Sequence, residues 1–187
     1  MIYRWDHYNT VGDYLVSETR SHVRDCVHEH PGVHFNEISR KLDIATGQTQ
    51  HHIRRLLRAN ELTSENICGR THYYPPTYTS WERGVIALLR RETSREIVLV
   101  LLEENRQHPA EITERLGLAR STVEWHLSNL IEQDIVTKQT VSNQRGSKQL
   151  VVELDQPDSV YRLLREIEPR PSDRLADRFA RLTDQLL

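Results

Sequence analysis

The chain has 187 residues, 37% hydrophobic and 28% charged, with a formal net charge of −2. This balance suits folded globular domains and excludes both a disordered polar tail and a non-specific nucleic-acid coating protein. The longest apolar run, Ile97 to Leu102, falls well short of the roughly 20 residues that cross a bilayer, and MIYRWDHYNT lacks the apolar core of a secretory signal, so a cytoplasmic protein without a membrane partner is expected.

Two cysteines, Cys26 and Cys68, cannot build a disulfide framework, and without a CxxC they do not suggest a zinc module. There is no phosphate-cradling glycine loop, no GxSxG and no HExxH, so neither an enzyme nor a cofactor is expected. Three lysines stand against 22 arginines. Arginine suits bidentate phosphate and guanine contacts, although a GC-rich genome produces the same bias.

In chain order, residues 1–16 mix aromatic and polar groups without periodicity and read as an N-terminal arm. From Ser17 the spacing of Val23, Cys26, Val27 and His30 predicts a helix that Pro31-Gly32 ends. A short extended piece, Val33 to Phe35, leads to a helix from Asn36 to Leu42, with Asn36 as its cap. After a turn at Asp43-Ile44-Ala45 comes TGQTQHHIRRLLRAN, Thr46 to Asn60, in which Ile53, Leu56 and Leu57 share one face. The rest of that helix carries His51, His52, Arg54, Arg55 and Arg58 and no acidic residue. Leu62 to Ile67 and Thr71 to Tyr74 form a hairpin with its turn at Gly69, and Tyr74-Pro75-Pro76-Thr77 closes the unit. Helix, helix, turn, helix and hairpin in that order describe a winged helix-turn-helix over residues 17–77.

Residues 78–154 repeat the plan. Ser80 to Arg91 is helical, and Thr93 with Glu96 gives the capping-box spacing of a buried helix through Leu102. An offset of 74 pairs Ile38 with Ile112, Leu42 with Leu116, His52 with His126, Ile53 with Leu127 and Leu56 with Leu130. His30-Pro31 matches His108-Pro109 once a four-residue gap is allowed, as if the second copy lacked the GVHF piece. The second hairpin runs from Ile135 to Val141 and from Gln149 to Leu154, with Lys138, Arg145 and Lys148 making its wing basic. Residues 155–187 read as two helices, and Leu175, Phe179, Leu182 and Leu186 form a narrow stripe to be covered either by its own domain or by the same helix of a second subunit. The expected fold is mainly α with small β-hairpin wings: two tandem winged helix-turn-helix domains plus C-terminal helices.

The segments ATGQTQHHIRRLLRANEL (Ala45 to Leu62) and ARSTVEWHLSNLIEQDIV (Ala119 to Val136) resemble the recognition helix and first wing strand of winged-helix transcriptional regulators of the broad MarR/ArsR group. The arginine bias and the helical tail resemble haloarchaeal members. The resemblance implies a recognition helix that enters the major groove of double-stranded DNA. Gln48, Gln50, His51 and Arg55 are the candidates for reading bases, Arg54 and Arg58 for phosphate, and Arg70 for the wing contact. Arg120, Lys138, Arg145 and Lys148 are the second module's candidates, although Glu124 and Glu132 make its recognition helix the poorer DNA reader.

His52 and His126 occupy one slot, which predicts a shared structural hydrogen bond to a neighbouring helix. His22, Cys26 and His30 have metal-ligand spacing, but Cys26 also lies on the apolar stripe, so no metal is assigned. A homodimer is the expected assembly, and the sequence identifies no small-molecule effector. Two rival readings are a tandem winged-helix protein-interaction scaffold or chromosome-partition subunit, against which the basic helix face speaks, and a replication initiator, which differs in where its target sites lie.

Overall fold

The computed structural model describes residues 7–142 and 148–167, with side chains described from residue 18 onward. The chain divides into two compact units, Met1–Tyr78 and Thr79–Leu187. Each is a winged helix-turn-helix.

In the first unit α1 (His7–Glu29) precedes β1 (Val33–His34), α2 (Phe35–Leu42), α3 (Thr46–Arg58), β2 (Thr63–Ile67) and β3 (Arg70–Tyr74). The strands form an antiparallel sheet in the order β1-β3-β2. Val23, Cys26 and Val27 of α1 meet Ile38 of α2 and Ile53 and Leu56 of α3, and these buried groups form the core. Helix α1 begins at His7 rather than Ser17, so it takes in most of the segment expected to be an irregular arm.

The caps also differ from expectation. Helix α2 starts at Phe35, with His34 at its N-cap making no side-chain bond, so Asn36 lies inside the first turn instead of capping it. The β2–β3 hairpin turns through Cys68 and Gly69, both at positive φ (50° and 74°), as a two-residue type I′ turn requires. Ile67 then pairs with Arg70, which places Arg70 at the wing tip.

The second unit adds α4 (Ser80–Leu89) ahead of α5 (Glu92–Glu103), β4 (Arg106–Gln107), α6 (Pro109–Leu116), α7 (Arg120–Glu132), β5 (Val136–Ser142), β6 (Lys148–Leu154) and α8 (Pro157–Glu166). Its sheet has the order β4-β6-β5. The apolar run Ile97 to Leu101 is buried, as its sequence predicts for α5. The capping box stands elsewhere. The N-cap of α5 is Arg91 without a side-chain bond, whereas Thr79 and Glu82 cap α4 reciprocally. At α6, Glu111 Oε2 accepts from His108 N–H at 2.8 Å, and His108 Nδ1 accepts from Ala110 N–H at 3.1 Å.

From α1 to the first wing strand the internal repeat needs no gap. Helices α2 and α3 map onto α6 and α7 residue for residue at the offset of 74, and the same offset carries Glu18–Glu29 of α1 onto α5. The backbone follows it: Asp43 and Gly117 both end their helices at positive φ, as do Asn60 and Asp134 after α3 and α7. The strand expected to be missing from the second copy is β4, which pairs with β6 as β1 pairs with β3. His108 therefore corresponds to His34, each at the N-cap of its helix, and not to His30.

Candidate nucleic-acid interface

Helix α3 is held to α2 by its inner face. Ser39 Oγ donates to Thr49 Oγ1 at 2.9 Å, and Thr49 Oγ1 donates to Ala45 O at 3.2 Å, which ties the turn to the helix start. Ile53 and Leu56 are buried beneath it. Gln48, Gln50, His51, Arg54, Arg55 and Arg58 are all exposed, so the residues expected to read DNA lie on the solvent side of one helix. The first turn of α3 holds no acidic residue and its N-cap makes no side-chain bond, leaving amide donors and the positive end of the helix dipole available to an anion. None of Arg54, Arg55, Arg58 and Arg70 forms an ion pair with a described residue.

Helix α7 repeats the scaffold with different chemistry. Val123, Leu127 and Leu130 are buried where Thr49, Ile53 and Leu56 are. Its outer positions carry Glu124, Trp125, Ser128 and Glu132 in place of Gln50, His51, Arg54 and Arg58. Arg120 is 83% exposed, but its Nε donates to Glu124 Oε1 at 2.7 Å, so its charge is already compensated. Lys138 faces Val152 and Lys148 faces Ser142, four cross-strand pairs apart and so about 13 Å along the hairpin. Arg145 and Gly146 lie outside the described residues, as does the stripe from Leu175 to Leu186.

Trp125, which the sequence reading did not single out, is 51% exposed on α7. The Arg91 guanidinium lies 5.6 Å from its ring centroid, and its ring meets His126 edge-on at 4.7 Å. The offset of 74 was the signal that could have found it, since it sets Trp125 against His51.

The paired histidines are not equivalent after all. Ser94 Oγ and His126 Nδ1 share a hydrogen bond of 2.8 Å that joins α5 to α7, as predicted. His52, only 4% exposed, has no partner for Nδ1 among the described residues. The residue at the Ser94 position of the first unit is Arg20, a donor-only cation in a place where His126 has a hydroxyl. Burial lowers the His52 pKa below its ordinary value, and the charges of His51, Arg20 and Arg55 lower it further. Burial, helped by Arg91, does the same to His126. Both imidazoles are thereby biased toward their neutral form.

The His22, Cys26 and His30 spacing does not assemble a ligand set. Cys26 is in the core, and Lys41 Nζ donates to His30 Nε2 at 3.0 Å. Among the described residues no group of three or more His, Cys, Asp or Glu is placed to hold a metal. Among them, too, no helix is long and apolar enough to cross a membrane.

Comparison with known proteins matches both units. Residues 17–86 fit a family model described as an N-terminal HTH domain, and residues 90–137 fit one described as winged helix-turn-helix DNA-binding. The chain thus carries two helix-turn-helix domains in tandem. It is related to an uncharacterised HTH-type transcriptional regulator of Methanocaldococcus jannaschii, with 28% identity over 129 residues, covering 69% of this chain and 32% of that protein. The match spans about a third of that relative's length. Among solved structures, a possible transcriptional regulator from Methanosarcina mazei aligns at 13% identity and a TM-score of 0.35, over 66% of this chain and 96% of that one. Reduced AbfR bound to DNA, a protein known from Staphylococcus epidermidis, aligns at 17% identity and a TM-score of 0.36, over 74% and 88%.

Proposed function

We propose that the protein is a sequence-specific transcription regulator of double-stranded DNA, and that its first unit reads the major groove with α3. The observation that carries this reading is the outer face of α3: six exposed polar or cationic side chains with no acidic group among them. The equivalent face of α7, built on the same apolar positions, has no such row of cations. Gln48, Gln50, His51 and Arg55 are assigned to base edges, because glutamine grips adenine and arginine guanine through paired hydrogen bonds. Arg54 and Arg58 are assigned to phosphate, and Arg70 at the wing tip to the backbone or minor groove. In the second unit Lys138 and Lys148 are the remaining described cations for a wing contact, with Arg145 between them in sequence, and Arg120 is the weakest candidate because Glu124 already holds it. The active species is proposed to be a homodimer held by the C-terminal stripe; truncation after Pro169 should then give a monomer by light scattering.

The deciding experiment is selection of bound fragments from genomic DNA with the wild type and with an Arg54→Ala/Arg55→Ala variant. The variant should lose most of the enriched sites. Recovery of the same sites with equal strength would remove α3 from the reading role, and enrichment at repeats of an origin rather than at promoters would favour the initiator reading.

A further inference from the structure

Helix α3 carries one residue that neither its own packing nor the repeat explains. Gly47 stands in the first turn, one position after Thr46. Its φ lies outside the left-handed region, and a Cβ built on it would meet no described atom within 4 Å. The folded chain therefore requires glycine there neither for conformation nor for space. Glycine is also a poor helix residue, because it loses more backbone freedom on folding than any other. The second unit has Ser121 at the same place.

Its position on the helix is telling. With 3.6 residues per turn, Gly47, His51, Arg54 and Arg58 lie within about 60° of one another and form one row, and Gln48 and Gln50 flank Gly47 at about 100° to one side and 60° to the other. His51, Arg54 and Arg58 are exposed, so this row is the middle of the cationic face and Gly47 is a notch at its leading end. In α7 the same row reads Ser121, Trp125, Ser128 and Glu132, with an exposed indole one turn behind the notch position.

A recognition helix meets base edges with its N-terminal residues. Glutamine is shorter than arginine, so for Gln48 or Gln50 to grip a base the backbone must come close at this turn. A methyl group at position 47 would hold the helix back by up to about 1.5 Å, a carbon–carbon bond length. That stretches a hydrogen bond of about 2.9 Å to about 4.4 Å, outside bonding range.

We propose that Gly47 is a positioning residue for DNA reading: the edge of a base pair rests against its bare Cα, and this close approach brings Gln48 and Gln50 within hydrogen-bonding reach of adenine. The inference rests on the assignment of α3 to the major groove and names the residue that sets the depth of the helix there. Helix α7, with a side chain at Ser121 and the Trp125 ring beside it, cannot come as close.

The test is fluorescence anisotropy of the full chain on a genomic fragment enriched by the wild type and on a scrambled duplex of the same length, for the wild type, Gly47→Ala and Arg54→Ala/Arg55→Ala. Gly47→Ala should weaken binding to the enriched fragment at least about tenfold, the loss of one paired base contact. Affinity for the scrambled duplex, which phosphate contacts carry, should stay within about twofold. The melting midpoint followed by circular dichroism should be unchanged or raised, since alanine is the better helix former. A smaller loss on the enriched fragment, an equal loss on both duplexes, or a lowered melting midpoint would each overturn the proposal. If Arg54→Ala/Arg55→Ala weakens binding to the enriched fragment and Gly47→Ala does not, the close approach alone is wrong; if neither weakens it, the α3 reading falls as well.

Discussion

Replacing Arg20 by Ser should stabilise the first unit. His52 Nδ1 is buried without a partner among the described residues, while its counterpart His126 bonds to Ser94 Oγ at 2.8 Å from the position that Arg20 holds in the first copy. Supplying the hydroxyl restores one neutral hydrogen bond, with a net contribution of about 1 kcal/mol. It also removes a cation that disfavours any proton on His52. The reverse change, Ser94→Ala, leaves His126 Nδ1 orphaned and should cost about 1–3 kcal/mol, because desolvation is then uncompensated. Native-state hydrogen exchange followed on α3 and α7 separately distinguishes the two units, where one global melt would average them. A gain of about 1 kcal/mol slows exchange in α3 roughly fivefold at fixed pH. Arg20→Ser that leaves α3 exchange unchanged or faster, beside Ser94→Ala that leaves α7 unchanged, would refute the idea that the repeat predicts side-chain partnerships.

On the DNA side, Arg54→Ala/Arg58→Ala should weaken binding about equally at all sites and reduce the slope of log affinity against log salt by about 1.8, at roughly 0.9 per phosphate contact, measured by fluorescence anisotropy. Loss of preference at a single base pair instead would move one of these arginines to base reading. Stability should fall as the pH drops below the unfolded imidazole value of about 6.5, because the folded pKa values of His52 and His126 are lowered and the unfolded chain therefore binds more protons in that window. Urea titrations across this range should show a shallower fall for His52→Gln/His126→Gln; an equal or steeper fall contradicts the assignment. Thr79→Ala, which removes the reciprocal cap of α4, should cost about 1 kcal/mol in the second unit by the same titration, and no measurable cost would mean the cap is redundant with the helix's packing.

What the sequence disclosed was set by how local the cause is. The start of α3 at Thr46, the buried run in α5 and the positions of both hairpins follow from apolar spacing and turn chemistry, which act within a few residues. The two-residue strands β1 and β4 are too short to show any alternation, and only their pairing with β3 and β6 defines them. That is why the second copy read as gapped. Helix starts misled for a related reason: Asn36 and Thr93 are good capping residues by type, but His34 and Arg91 hold those N-caps, and at α6 the capping side chain is His108, outside the usual alphabet. The orphaned His52 nitrogen was invisible because its would-be partner is 32 residues away, on another helix.

The duplication also separates what the fold demands of a recognition helix from what it leaves free. Thr49, Ile53 and Leu56 are buried in α3, and Val123, Leu127 and Leu130 fill the same slots in α7. Those positions fix how each helix sits against its neighbours and tolerate little change of shape. The exposed positions obey no such constraint. One copy carries Arg54, Arg55 and Arg58 there with no carboxylate on the helix, and the other carries Glu124 and Glu132 against Arg120 alone. Packing cannot account for a formal charge of +3 on one helix and −1 on the other, since the same core forms with either. A basic face brings mutual repulsion among its arginines, and a partner bearing regularly spaced negative charge relieves it. The second copy holds Glu124 beside Arg120 and an exposed Trp125 where the first has His51.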